Sequence, residues 1–266
     1  IGYCCISLGV NVGRKKKDTI LVNRGMVRKT FETKGLSYVS ELIIENLKDT
    51  LEVIDYNIEN DIHVYRMSSD SFPWMSEYKF QDIPQFDVIL KYLKLIGEKI
   101  KGNDIRVSYH PGPFNVLASE NQAVVKKTIN ELNKHSELLD LMGLEQSHYY
   151  PINIHINTTQ PTREEAANRF CDQFENLSDS CKKRLVVEND DKESQYSVKI
   201  LYDLVYSKIK IPITFDQLHW ELGPKDLSMK ESLELALSTW KVKPLTHMAS
   251  SIRKEDPKGL IRAHAD

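Results

Sequence analysis

The 266-residue sequence contains few cysteines and no long apolar run. Its four cysteines, Cys4, Cys5, Cys171 and Cys181, are too few and too irregularly spaced for a disulfide framework in a chain of this size. We therefore expect an intracellular protein of the cytoplasm, nucleoid or nucleus. No apolar run approaches the roughly 18 residues that a membrane-spanning helix needs, and no signal peptide is visible, so we expect a soluble protein without a membrane partner.

An excess of charge of one sign is also absent. Lys and Arg number 36 against 38 Asp and Glu, so DNA contacts would have to come from a local patch. No glycine-rich phosphate turn follows the first predicted strand, which argues against a doubly wound dinucleotide-binding sheet and a nucleotide cofactor. Linkers and low-complexity tracts are missing too, which predicts one domain over residues 1–266.

The sequence does contain a regular alternation of predicted strands and helices. Apolar residues three and four positions apart predict the helices, one of which begins at a Thr162 capping box. Strands are predicted at residues 1–8, 62–67, 104–109, 151–156, 184–187, 211–215, 242–246 and 259–263. Such alternation implies parallel strands with right-handed crossovers, and eight strands favour an α/β fold of the TIM (β/α)8 barrel type. Its eighth helix would lie beyond Asp266.

The fifth predicted strand runs directly into polar and acidic residues. Leu185, Val186 and Val187 are followed by Glu188, Asn189, Asp190 and Asp191. Buried carboxylates need a partner such as a metal ion or a group of hydrogen-bond donors. For one strand alone, a solvated acidic turn would be the simpler interpretation.

The same pattern recurs at other strand ends, where the active site of a TIM barrel lies. Five of the eight histidines fall there, and with two carboxylates they form the set His110, His155, Glu188, Asp216, His219, His247 and His264. A single such histidine would more often be a neutral residue bonded to a backbone carbonyl. Their joint occurrence favours a shared metal site.

The composition of this set indicates which ions it would bind and what they would do. Imidazole and carboxylate together suit Zn, Mn or Fe rather than Mg. Seven ligands exceed what one ion needs, so two or three divalent ions are implied. Ions about 3.5 to 4 Å apart stabilise in-line attack of water on a phosphodiester. We expect Glu188 to bridge two ions, and we assign catalytic roles to Glu188, Asp216 and His219.

Six ordered motifs resemble those of the UV damage endonuclease family. They are YRMSSDSFP from Tyr65, HPG from His110, ENDD from Glu188, DQLH from Asp216, HMASS from His247 and HAD from His264. The resemblance spans nearly the whole chain. It implies a TIM barrel related in fold to endonuclease IV, with the seven residues above as ligands of a metal cluster, manganese being the expected ion and zinc the alternative.

The resemblance also implies an activity. Enzymes of this family nick DNA immediately 5′ to UV photoproducts, and also at abasic sites, without ATP, and leave a 3′-hydroxyl that starts an alternative excision repair. The expected partner is therefore damaged double-stranded DNA, bound by a monomer.

Several residues depart from the family pattern. Pro113 and Phe114 stand where the family has Gln and an aromatic residue that enter the duplex. Phe114 keeps the aromatic face that stacks on bases, whereas Pro113 lacks the side-chain amide of Gln. Glu77 stands near a histidine ligand of the family and is a candidate replacement, whereas Leu245 replaces a modified lysine. A family glutamate ligand of the final helix would lie beyond Asp266.

Other candidate DNA contacts lie near the first two strands. Tyr3 resembles an aromatic residue that probes the lesion, although an ordinary half-buried strand tyrosine is the alternative. Arg66 and the run that contains Arg14 and Lys15 are candidate phosphate contacts, with a solvated surface as the alternative.

The sequence thus predicts a metal-dependent DNA repair endonuclease. One alternative is a xylose-isomerase-like sugar isomerase or epimerase, because that barrel also uses Glu, Asp and His at strand ends. A second alternative is a family member that binds damaged DNA but cuts it poorly, which Pro113 and Leu245 would explain.

Overall fold

A computed structural model describes residues 1–263, which divide into two compact units. The first unit contains Ile1–His110 and Asn130–Pro151, and the second contains Pro111–Ile129 and the described residues from Ile152 onward. Each unit has its own parallel sheet. The prediction of a single domain over residues 1–266 stays a prediction.

The sheet of the first unit has three strands in the order β1-β2-β3. They are β1 Gly2–Cys4, β2 Val64–Arg66 and β3 Arg106–Ser108, with helices α1 Arg28–Glu59 and α2 Phe86–Gly102 between them. Helix α3, Gln122–Leu141, belongs to this unit from Asn130 onward. Helices α1 and α2 contact each other through apolar faces with helical spacing. These faces include the buried residues Ile43, Leu47 and Ile54 of α1 and Ile89, Leu93, Ile96 and Ile100 of α2.

A glycine explains where the long helix α1 becomes regular. Gly35 adopts a φ of 60°, in a region that residues with a Cβ rarely occupy, and it interrupts the helix. The uninterrupted part therefore begins at Leu36, where the apolar repeat of the sequence also begins.

The sheet of the second unit has four parallel strands in the order β4-β5-β6-β7. They are β4 Ile152–Ile154, β5 Leu185–Glu188, β6 Ile213–Asp216 and β7 Thr246–His247. The helices are α4 Arg163–Phe174, α5 Asp179–Lys182, α6 Val198–Leu201, α7 Ser207–Ile209, α8 Gln217–Leu222 and α9 Met229–Ser238, and a π-helical turn at Tyr202–Tyr206 joins α6 to α7. The predicted cap of α4 is confirmed, because the Thr162 hydroxyl accepts a hydrogen bond from the Glu165 amide.

Two sequence predictions about this unit are corrected. The predicted eighth strand at residues 259–263 is wrong, because these residues form turns. The chain doubles back there, so that the Ile252 amide donates to the Ala263 carbonyl and the Gly259 amide to the Asp256 carbonyl. Helix α8 was not predicted, since the Gly223-Pro224 pair made the whole segment resemble a loop.

Two further expectations from the sequence concern membrane-spanning helices and the ligand His264. Within residues 1–263, no helix combines the length and the apolar character needed to cross a bilayer. The predicted ligand His264 lies outside the described residues.

Candidate metal centre

The polar end of β5 and the two residues after it are buried and do not form a solvated turn. All four residues of β5 are buried, and the exposed fractions of Glu188, Asn189 and Asp190 are 1%, 2% and 5%. Burying a carboxylate without a partner is costly, so these groups need specific contacts. Their contacts define the site.

The two carboxylate oxygens of Glu188 face different histidines. Oε1 lies 3.2 Å from Nδ1 of His219 and 3.9 Å from Nε2 of His155. Oε2 lies 3.1 Å from Nδ1 of His247 and accepts a hydrogen bond from the Asn153 amide. Each of the three histidine side chains is 14% exposed, so the group can be reached from solvent.

Strand register brings a second carboxylate to the same place. Residues Asp216 of β6 and His247 of β7 are direct partners in the sheet. Ligand atoms of Glu188, Asp216 and His247 all lie within 4.8 Å of one another, a spacing at which one cation could contact all three. Oδ2 of Asp216 is buried and has no hydrogen-bond partner among the described residues. A buried acceptor of this kind fits a metal ligand.

Helix α8 positions His219. The other Asp216 oxygen, Oδ1, accepts a hydrogen bond from the His219 amide at 2.8 Å and so caps the helix. The helix begins directly after β6, which turns the His219 ring toward Glu188. Its Nδ1 also lies 2.8 Å from the carbonyl oxygen of Asn189.

The carboxylates change the protonation of two histidines. Burial alone would lower the pKa of His219, but the hydrogen bond and charge of Glu188, with the charge of Asp216, raise it to about 9. The pKa of His155 is raised in the same way: burial lowers it, while Glu188 and Asp190 raise it by more. Because a cation would compete with these protons, metal binding should release protons.

Two asparagines hold Glu188 and Asp216 in place: Asn189, which belongs to the polar segment that the sequence marks as supporting the site, and Asn153, which the sequence does not mark. The side-chain Nδ2 of Asn189 donates to the backbone carbonyl oxygen of Asp216 at 3.1 Å. The backbone N–H of Asp216 in turn donates to the side-chain Oδ1 of Asn189 at 2.8 Å. Asn153 donates to Glu188. One signal could have identified Asn153: it lies two residues before His155 in the predicted strand 151–156, and side chains two residues apart in a strand share a face.

Two predicted ligands lie in the first unit. His110 follows β3 by two residues and is half-buried. Glu77 Oε1 lies 3.4 Å from the Arg28 guanidinium, which itself lies over the Trp74 ring. The structure thus gives Glu77 a cationic partner, and its metal-binding role stays a prediction.

The residues predicted to contact DNA differ in their exposure to solvent and in the partners that their side chains already have. The Tyr3 hydroxyl donates to the Asn57 side chain at 2.7 Å, and Arg14 lies 3.3 Å from Glu52. Lys15 is exposed, whereas Arg66 is half-buried at the end of β2. In the second unit Pro113 is exposed, and the ring of Phe114 is 91% exposed on the same loop.

Parallel strands with helical crossovers, and carboxylates and histidines at the strand ends, define a class of α/β protein with a candidate metal centre. The family model described as UV-endonuclease UvdE matches residues 1–266. The chain belongs to this family.

Individual relatives agree with this assignment. The chain is 32% identical over 241 residues to the UV DNA damage endonuclease of Clostridium perfringens, covering 90% of this chain and 54% of that protein. It is 30% identical over 278 residues to the UV-damage endonuclease of Schizosaccharomyces pombe, covering 100% of this chain and 45% of that protein. The chain thus spans about half the length of these relatives.

Solved structures establish the fold class. The crystal structure of SacUVDE has a TM-score of 0.85 at 31% identity, over 99% of this chain and 83% of that chain. Endonuclease IV from Thermus thermophilus has a TM-score of 0.54 at 15% identity, over 80% of this chain and 75% of that chain. D-psicose 3-epimerase from Clostridium cellulolyticum has a TM-score of 0.53 at 13% identity, over 79% of this chain and 70% of that chain. The last two are likenesses of fold alone, and the fold class is the predicted α/β TIM barrel.

Proposed function

We propose that this protein is a metal-dependent DNA repair endonuclease that hydrolyses the phosphodiester 5′ to UV photoproducts in double-stranded DNA, and also cuts at abasic sites. The observation that carries the proposal is the Glu188 carboxylate, whose Oε1 faces His155 and His219 and whose Oε2 faces His247. A carboxylate that presents its two oxygens to two groups of ligands suits a bridge between two cations.

The residues of the centre have separate roles in this proposal. Glu188 and Asp216 supply negative charge, and His155, His219 and His247 complete the ligand set, with His110, His264 and Glu77 as further candidates. Two or three divalent ions, Mn²⁺ first and Zn²⁺ second, would when bound lower the pKa of a water molecule and stabilise the leaving alkoxide. Asn153 holds the Glu188 carboxylate, and Asn189 holds the backbone of Asp216, through the hydrogen bonds described above.

The DNA contacts are proposed from exposure and charge. Phe114 is almost fully exposed, so its ring is available to stack on a base, while the adjacent Pro113 stiffens the loop. Lys15 and Arg66 are the candidate phosphate contacts. Arg14 has an ion pair with Glu52 to give up first. We propose that the protein acts as a monomer inside the cell, where its DNA substrate is found.

The experiment that tests the function uses the full-length protein with a UV-irradiated and an undamaged end-labelled duplex, each with Mn²⁺, with Zn²⁺ or with EDTA. We expect nicks 5′ to the photoproduct in the irradiated duplex when a metal ion is present, and none with EDTA or in the undamaged duplex. Glu188→Gln should lower the nicking rate by on the order of 10² to 10³-fold because it removes a buried charge that faces both groups of ligands. Glu175→Gln is the matched control, since Glu175 is exposed and pairs with Lys182.

Other outcomes separate the alternatives. Tight binding to the irradiated duplex without a nick would indicate a family member that recognises damage but does not cut. Neither binding nor cutting would contradict the nuclease proposal. The sugar epimerase alternative rests on fold alone, and turnover of a ketose with no effect on DNA would support it.

A further inference from the structure

Asp190 is held between a backbone loop and a histidine of the candidate metal centre. It is 5% exposed, and its Oδ1 lies 3.0 Å from Nδ1 of His155. Its Oδ2 accepts a hydrogen bond from the Tyr196 amide at 3.3 Å, and its own amide donates to the Tyr196 carbonyl at 2.9 Å. One carboxylate oxygen is therefore anchored while the other faces the imidazole.

The backbone of Asp190 is also restrained from the other side. A Cβ added to Gly223, directly after α8, would lie 2.2 Å from the Asp190 carbonyl oxygen, so the two backbones approach as closely as glycine allows. Tyr196 is itself fully buried, and its hydroxyl shares its one hydrogen between the carbonyl oxygens of Thr158 and Arg163, which lie 3.0 and 2.9 Å away. The carboxylate is thus attached to a rigid part of the unit.

The two ring nitrogens of His155 face different carboxylates. Nδ1 faces Asp190, whereas Nε2 lies 3.9 Å from Oε1 of Glu188. A carboxylate that accepts a hydrogen bond from one imidazole nitrogen fixes the tautomer and the ring plane, and it leaves the other nitrogen free to bind a cation.

We infer that Asp190 is a positioning residue, which holds His155 with Nδ1–H toward itself and Nε2 toward the space beside Glu188. The inference rests on the proposed metal-dependent function, and it assigns neighbouring carboxylates different tasks. Asp191, one residue further, lies 3.2 Å from the Arg262 guanidinium through its Oδ2. It therefore provides a matched control of the same residue type.

Metal affinity tests the inference without any measurement of activity. The metal-free protein and its variants would be titrated with Mn²⁺ and with Zn²⁺ by calorimetry. Asp190→Ala should weaken binding about 10- to 100-fold, as loss of a histidine's hydrogen-bonding carboxylate typically does. Asp190→Asn should weaken it less, because its single amide oxygen can still accept from Nδ1–H of His155, although an NH2 group then replaces the oxygen that accepts from the Tyr196 backbone amide. Asp191→Ala should bind like the wild type.

A double-mutant cycle separates positioning from a general structural effect. If Asp190 acts through His155, adding Asp190→Ala to His155→Ala should cause little further loss of affinity. An equal loss in both backgrounds, or no loss in the wild-type background, would overturn the inference. Thermal unfolding of each variant without metal identifies any variant that fails to fold, and Asp190→Asn then carries the test.

Nitrogen NMR distinguishes failure of this inference from failure of the proposed function. The ¹⁵N shifts of His155 would be recorded in metal-free protein at a pH where the ring is neutral. The Nδ1–H tautomer is expected in the wild type and the Nε2–H tautomer in Asp190→Ala. A wild type that binds neither ion would contradict the metal-dependent function, and an unchanged tautomer in Asp190→Ala would contradict the positioning role.

Discussion

The two parallel sheets differ in the residues that end their strands. In the first unit β1, β2 and β3 end in Cys4, Arg66 and Ser108, which are partners in register. In the second unit the residues at or directly after the strand ends are His155, Glu188, Asp216 and His247. The last strand residues of the two sheets therefore differ in type, and in the first unit the predicted ligand His110 comes two residues after the end of β3.

Buried histidines show the consequence of that difference. His135 in the first unit is fully buried beside Tyr109, and burial lowers its pKa to about 4. His219 in the second unit is less buried, and Glu188 raises its pKa to about 9. The sign of the shift is set by the carboxylates in one unit and by burial in the other.

The largest effect is expected from neutralising the second buried carboxylate of the centre. Asp216→Asn should lower nicking of a UV-irradiated duplex by on the order of 10² to 10³-fold, since Oδ2 faces His247 and has no hydrogen-bond donor of its own among residues 1–263. Rates at saturating Mn²⁺ would measure it. Asp55→Asn, which removes an ion pair with Lys99 in the first unit, is the control. Similar losses in both variants would show that the units do not differ in this respect.

The next effect concerns acid stability and His135. Its folded pKa of about 4 lies below the unfolded value of 6.5, so the unfolded chain binds the proton more readily. The neutral His135 ring therefore contributes roughly 3 kcal/mol to the free energy of unfolding above pH 6.5. This contribution is lost as the pH falls from 6.5 toward 4. Chemical unfolding at several pH values should show a shallower loss in His135→Gln.

The exposed His63 provides the control for that measurement. Its ring bonds to Asp61, and this bond raises its pKa. Because its surroundings are solvent, His63→Gln should leave the acid dependence nearly unchanged. An equally steep loss of stability in wild type and His135→Gln would mean that another group governs acid unfolding.

The smallest effect compares the two aromatic candidates for DNA contact. Phe114→Ala should weaken binding to a UV-irradiated duplex by about 1 to 3 kcal/mol through lost stacking, as measured by fluorescence anisotropy. Tyr3→Ala should leave that affinity unchanged and cost at least about 1 kcal/mol of unfolding free energy, because its hydroxyl bonds to Asn57 and its ring lies against Tyr65. The opposite result would assign lesion probing to the first unit.

The sequence predicted most of the fold because its elements have local signals. The strand β5 is an apolar run, α2 has a helical apolar repeat, and Ser228 and Thr162 have the residue types of helix caps. The prediction of the eighth strand is wrong because it also relies on a local signal. Residues 259–263 have the short apolar pattern of a strand, but no strand among the described residues pairs with them. A strand exists only when a neighbour satisfies its backbone.

At the candidate site, the amino-acid sequence alone establishes which chemical groups are available. It placed Glu188, Asp216 and His247 at strand ends, and parallel strands bring such ends to one edge of a sheet. The contacts between these groups are visible only in the folded protein, because they depend on strand register, on side-chain direction and on helix α8, which the sequence does not predict. The fold separates the equivalent-looking acids Glu188, Asp190 and Asp191, which face three histidines, one histidine and an arginine. Distances of 3 to 4 Å are set by packing, and no local pattern in a sequence encodes them.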